Sequence, residues 1–245
     1  MGFGRTMKRI MTLEALRRGR VTKSKQDGSR EFISCLACVS AIGKAIPPVL
    51  IYKGASNDLQ DTWVEDVIPE SGVYFASTEN GWSNNAMGLA WLQRVFERHT
   101  KPKSSRTRRI LLMDGHSSHV NMAFVEWADQ HGIIIVILPP HSTHRLQPLD
   151  VGLFQPLSTF YSNELDALMA KSAGLTSMSK RFFFSMFKRS WDKAFTEVNI
   201  QHAFQKPGIW PVNGAEVIAR VQRPTPKPEV HSYNIKTPKS NKALC

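Results

Sequence analysis

The sequence predicts a mixed α/β fold, and three patterns predict it. Residues 110–113 and 133–138 are apolar runs separated by an amphipathic stretch over about 120–130, the signature of a strand, helix, strand unit with a right-handed crossover. Residues 31–41 and 47–52 are β-rich and flank Ile42-Gly43-Lys44, which suits an antiparallel hairpin. From Leu153 onward, Leu157, Tyr161, Leu165, Leu168 and Met169 recur at helical spacing.

Each element has a local reason to form. A short strand at 72–76 extends the hairpin. After Asn80-Gly81-Trp82, Ser83 or Asn84 can cap a helix that gathers Met87, Trp91, Leu92, Val95 and Phe96 on one face. Gly132 stands where the helix of the crossover unit needs a left-handed cap. The run 133–138, stopped by Pro139-Pro140, reads as a buried parallel strand. Pro148 fits a first helical turn, with Asp150 in that turn. Residues 179–204 read as further Phe-rich helix, and the Pro-punctuated basic stretch from 220 onward has nothing to fill a core. The chain divides accordingly into an α/β domain over 1–170, a helical continuation over 171–218 and a disordered basic tail over 219–245.

Bulk composition narrows the partners. With 42% hydrophobic residues, 245 residues can bury one sizeable core. Thirty-two Lys and Arg against twenty Asp and Glu leave a charge of +12, which favours a polyanion, DNA or RNA before a membrane. No run of 18 apolar residues exists, so a membrane is not expected as a partner. Three cysteines are too few for a disulfide framework. Cys35 and Cys38 form a C-x-x-C, but three residues apart on a strand they face opposite ways, so a buried structural role is preferred to zinc.

Two single aspartates carry the chemistry. Asp114 ends the strand 110–113, the position where open α/β sheets place ligands, and Asp150 opens a later helix. Carboxylates brought from separate elements are the hard oxygen donors that Mg²⁺ or Mn²⁺ requires for phosphodiester chemistry. Either one alone would as readily cap a helix or turn. Five of the eight histidines, His116, His119, His131, His141 and His144, lie close by, and two H-x-x-H pairs arise among them. With no cysteine near, hydrogen bonding to the carboxylates, by His116 and His144, is preferred to zinc. Ser117, Ser118, Ser142 and Thr143 can cap the following helices. The basic stretches 5–30, 101–109 and 180–193 suit phosphate contact, with Lys101, Lys103, Arg106, Arg108 and Arg109 as the named candidates. Trp63 and Trp82 are expected to be buried rather than stacked on a base.

MDGHSSH, ILPPHSTHRLQPLDVGLF, AIPPVLIYKG, NGWSNNAMGLAWL and AFQKPGIWPVN together resemble the DDE endonuclease domain of pogo and Tigger-like transposases, in the Tc1/mariner superfamily, a group that centromere protein B also resembles. The likeness covers nearly all of residues 1–213. It implies an RNase H-like mixed sheet flanked by helices, a nuclear setting, DNA as partner, and a two-metal Mg²⁺ or Mn²⁺ site at which activated water cuts a strand and the freed 3′-OH attacks target DNA. A homo-oligomer is compatible with it.

By the same resemblance, Asp114 is the second and Asp150 the third member of an acidic triad. The family's first aspartate lies in a strand reading Asp-Glu-x-Gly-Phe, and here the match begins at Met1-Gly2-Phe3. The expectation is an N-terminally truncated domain lacking most of its first, central strand, with Glu14, Asp27 and Glu31 the nearest and poorly placed substitutes. Weak or absent strand cleavage and poor solubility follow from that expectation. The alternative is a non-catalytic nuclear DNA-binding protein domesticated from a transposase.

Overall fold

The computed structural model describes residues 33–54, 72–79, 84–104, 106–114, 121–171 and 180–222. Three strands form one sheet: β1 (Ser34–Leu36), β2 (Val49–Lys53) and β3 (Tyr74–Thr78) in the order β1-β2-β3. β1 and β2 are antiparallel with Cys35 opposite Leu50, as the hairpin reading requires, and the bridge Val39 to Ala45 continues the pairing toward the turn. β3 joins β2 in parallel, with Ile51 opposite Ala76.

β2 is the axis of packing. Its alternate residues face two different cores: Leu50 and Tyr52 one, Val49 and Ile51 the other. Leu50, Ile51 and Tyr52 are fully buried, each worth about 1.5–3 kcal/mol of transfer free energy.

Helix α1 (Asn85–Trp91) covers one side of β2. Asn84 caps it by accepting from the Met87 N–H at 2.8 Å, one of the two caps the sequence offered. The helix then runs through a π-helical turn, Leu92–Phe96, into the short α2 (Glu97–Thr100). Trp91 touches the cluster on β2 and also the one formed with the second sheet, so this helix joins the two.

The second sheet is the predicted crossover unit. β4 (Arg109–Met113) and β5 (Ile133–Ile137) pair in parallel, linked through α3 (Met122–Gln130), which Asn121 caps. Gly132 has φ +66, the left-handed cap that the sequence assigned to it. Burial of β5 is a correction. Ile133 is buried, but Ile134, Val136 and Ile137 are 42%, 40% and 50% exposed, because α3 and the Leu92–Phe96 turn cover a single face.

Helices complete the fold. α4 (Thr143–Leu146) is followed by a π-helical turn, Leu149–Leu153, and then α5 (Phe154–Lys171). The Phe-rich stretch expected as further helix forms two, α6 (Lys180–Ala194) and α7 (Glu197–Gln205), since Thr196 leaves helical geometry to cap α7. On α6, Phe183, Phe187 and Trp191 stand four residues apart and stack in sequence, ending on Phe195. They fill the core above β2 with Leu153, Leu157 and Tyr161. A last helix, α8 (Gly214–Gln222), begins where the sequence reading had nearly ended its structured region. The tail beyond it lies outside the described residues. Mixed sheets flanked by helices are the arrangement an RNase H-like domain requires.

The C-x-x-C behaves as its spacing demands. Cys35 packs with the core above β2, Cys38 with the cluster under β4 and β5, and burial pushes both thiols up to about 12. Among the described residues no group of three or more His, Cys, Asp or Glu could hold a metal ion.

One close crossing positions the Asp150 turn. A Cβ at Gly152 would stand 2.6 Å from Ala203 Cβ and 2.9 Å from Ala203 Cα, so α7 crosses here only because residue 152 has no side chain. Gly152→Ala is expected to lower stability by about 1–2 kcal/mol net of alanine's helical advantage. A urea midpoint that falls at constant m bears this out, and an unchanged midpoint contradicts it.

Candidate active site

The site is built at the carboxyl edge of the β4–β5 pair. The Leu138 N–H donates to Met113 O at 2.9 Å, carrying the ladder one residue past β5 and pairing the last residue of β4, so Asp114, the next residue, is held at that edge. Asp114 is half-buried.

The chain returns to the same edge by a tight path. After Pro139-Pro140, His141 takes φ +59, uncommon for a residue with a Cβ. The Ser142 hydroxyl donates to Pro139 O at 2.6 Å, closing the turn instead of capping α4 as expected. Gln147 is extended, the conformation a following proline favours, and Pro148 starts the helical turn carrying Asp150. Leu153, fully buried in the core, fixes the rotation of that turn and leaves Asp150 exposed.

Asp150 lies within reach of the Asp114 charge. Partial burial pushes the Asp150 carboxyl up, the negative charge of Asp114 pushes it further, and His144 pulls it down. Asp114, Asp150 and His144 therefore share one electrostatic neighbourhood. The His144 ring bonds elsewhere: its Nε2 accepts from Arg145 Nε at 3.1 Å, in place of the expected hydrogen bond to an aspartate. His116, His119, Ser117 and Ser118 lie outside the described residues, as do Trp63, Trp82 and the basic stretch 5–30.

Two mutually repelling carboxylates suit one hard divalent cation, because Mg²⁺ is commonly held by one or two carboxylates with substrate phosphate and water filling the remaining positions. The donor type fits. Among the described residues the number does not reach a set for two ions.

The basic candidates divide sharply. Lys101, Lys103, Arg106 and Arg108 are exposed. Arg109 turns inward, its side chain 11% exposed and 2.7 Å from Glu97 Oε2. It also donates to Thr100 Oγ1 at 3.0 Å and to His131 O at 2.8 Å, and it lies over the Phe96 ring. This corrects the expectation of phosphate contact, since those groups already occupy the guanidinium. Three cations of the stretch 180–193 are paired at the surface: Lys188 with Asp192, and Arg189 and Lys193 both with Glu164. Glu164 is held below the usual carboxylate range by the bonds from Lys193 and Arg189.

Sequence reasoning missed two features. One is Arg109 as a structural fork, for which Glu97 in the preceding helix was the available signal. The other is the π-helical turn at Leu149–Leu153, a geometry that recurs at functional sites but has no reliable sequence mark.

A family model described as DDE superfamily endonuclease matches residues 29–204, a span containing both aspartates. The chain is 32% identical to a Cochliobolus lunatus protein named MFS-type transporter clz9, over 98% of this chain and 26% of that protein. It is 23% identical to a Homo sapiens protein, Pogo transposable element with ZNF domain, over 50% of this chain and 8% of that one. A Mus musculus protein, Pogo transposable element with KRAB domain, is 27% identical over 51% of this chain and 19% of its own length. The chain thus spans about a quarter or less of these relatives. Among the described residues no helix is long and apolar enough to cross a membrane. No solved structure matches the chain.

The division of the basic residues is testable by stability. Arg109→Ala leaves the half-buried Glu97 with only the exposed Lys101 near it and is expected to cost about 2–3 kcal/mol, whereas Lys103→Ala should stay within about 0.5 kcal/mol of wild type. Equal losses in chemical denaturation would contradict the inward placement of Arg109.

Proposed function

The chain belongs to the DDE superfamily endonuclease family, and from that premise we propose that it is a transposase-derived, pogo-like nuclease domain whose Asp114 and Asp150 hold a divalent cation against DNA. The single observation that carries this reading is the electrostatic coupling of Asp114 with Asp150 across two separate elements. Two aspartates serving only as caps would have no reason to lie within reach of each other's charge.

Asp114 and Asp150 would hold Mg²⁺ or Mn²⁺ between their oxygens. When bound, the ion supplies Lewis-acid polarisation of a phosphodiester and lowers the pKa of a water. The protein's own groups set the conditions for it. Mutual repulsion of the carboxylates is relieved by a cation, and the rigid β4 end and the Leu153-anchored turn fix their separation. Arg145 Nε, donating to His144 Nε2, orients that ring beside the turn that carries Asp150.

With two carboxylates converging among the described residues, we read the chain's own strand cleavage as weak or absent, and its ancestral activity as metal-dependent DNA cleavage and strand transfer. A nuclear setting follows from a DNA partner. The same observation favours a second reading, a domesticated DNA-binding domain that no longer cuts.

Titration calorimetry of Mn²⁺ into the full chain tests the site. Asp114→Asn and Asp150→Asn should each weaken binding at least about tenfold, because each removes one of two charged donors. Unaltered affinity in both variants would sink the reading. A supercoiled plasmid incubated with the wild type in Mn²⁺ separates the two forms of it, since nicking lost in either variant marks retained catalysis and intact plasmid marks binding alone.

A further inference from the structure

The amino end of β4 gathers a charge that the carboxylate site does not use. Residues 94–109 hold seven basic side chains, Arg94, Arg98, Lys101, Lys103, Arg106, Arg108 and Arg109, against one acid, Glu97. Arg109 neutralises Glu97 inside the fold. Lys101 comes within 4.0 Å of the same glutamate, yet its side chain stays 74% exposed. Arg98, Lys103, Arg106 and Arg108 are exposed and make no ion pair with another described residue.

The patch has a scaffold. Arg109 ties the end of α2 to the turn before β5 through Thr100 and His131, and its own N–H donates to Gly132 O at 3.0 Å. A Cβ at Gly132 would lie 3.9 Å from Arg108 Cγ, so Arg108 runs over that turn. Thr107 N–H to Ser104 O at 3.1 Å closes the loop between. The charged side chains therefore project from anchored backbone.

Its place excludes direct service to the carboxylates. Arg108 precedes β4 and Asp114 follows it, so at about 3.3 Å per residue the two ends stand roughly 20 Å apart. In physiological salt the screening length is about 8 Å, too short for these cations to set the field at Asp114. Duplex DNA spans roughly 20 Å in about six base pairs, which lets one duplex lie along β4 and meet both ends. The loop residues 101–108 contain no aromatic or branched aliphatic side chain to enter a bilayer.

We propose that Arg98, Lys101, Lys103, Arg106 and Arg108 form a second, metal-independent contact for the duplex DNA backbone, about six base pairs from the phosphate held at Asp114 and Asp150. This rests on the proposed function for its choice of DNA. The contact is to phosphates and carries no sequence preference.

Fluorescence anisotropy with a labelled 20-base-pair duplex, in EDTA and with the full chain, tests it. The quadruple variant Lys101→Ala, Lys103→Ala, Arg106→Ala, Arg108→Ala should bind at least about tenfold more weakly, and the slope of log affinity against log salt should shrink by about 3 to 4. A charge-matched control, Lys44→Glu with Lys206→Glu, should change binding less than about twofold. Asp114→Asn with Asp150→Asn removes two negative charges from the path of the duplex and should bind no more weakly than wild type here, although that variant is expected to lose Mn²⁺ in calorimetry. The two readings thus fail separately. An unchanged quadruple variant, an equal loss in the control, or tighter binding to poly-L-glutamate than to the duplex would each overturn the proposal.

Discussion

The parallel register of β4 with β5 is the constraint on which the candidate site depends. It sets Met113 opposite Ile137, and the next bond, Leu138 N–H to Met113 O, seats Asp114 beside the point where the chain leaves the sheet. Only from there can the short turn through Ser142 bring Asp150 back within reach of Asp114's charge. A slip of one residue would turn Leu111, buried under α3, outward and carry Asp114 to the wrong face.

The same pairing separates charges of opposite sign. At the carboxyl edge, two acids repel each other and raise the Asp150 carboxyl after desolvation has already done so. At the amino edge, Arg109 pairs with Glu97 inside the fold and leaves the exposed cations of residues 98–108 as a basic surface. Across roughly 20 Å of strand the two ends are screened from one another, so the acids do not quench the cations. A polyanion with bound cations can satisfy both ends at once, which a neutral ligand cannot. The short, well-packed β4 is thus both a structural element and a spacer.

Much of this was legible in the sequence where a single residue type has a single physical use. Asn84 before an amphipathic run, Gly132 after one, and the parallel pairing of the strands on either side of that helix stand as read. Asp114 at the end of β4 followed from the strand itself. What was not legible depends on contacts from elsewhere in the chain. Arg109 sits in a run of basic residues and looks like its neighbours, but it turns inward onto Glu97 while they stay exposed. Phe195-Thr196-Glu197 reads as continuing helix until Thr196 takes up the cap. The run 133–137 is apolar throughout, and composition alone does not tell that α3 covers one face only. His144 was identified from its place beside the aspartates, yet its ring bonds to Arg145.

The central claim is that Asp114 and Asp150 occupy one electrostatic site. The most direct measurement is a pH titration of the Asp150 side-chain ¹³C resonance in the wild-type chain and in Asp114→Asn. Desolvation and the Asp114 charge both hold the Asp150 pKa above its ordinary value, so removing that charge should lower it while leaving the part due to burial. An Asp150 titration that is ordinary in the wild type, or unmoved by Asp114→Asn, would show that the two carboxylates do not meet and would contradict the account.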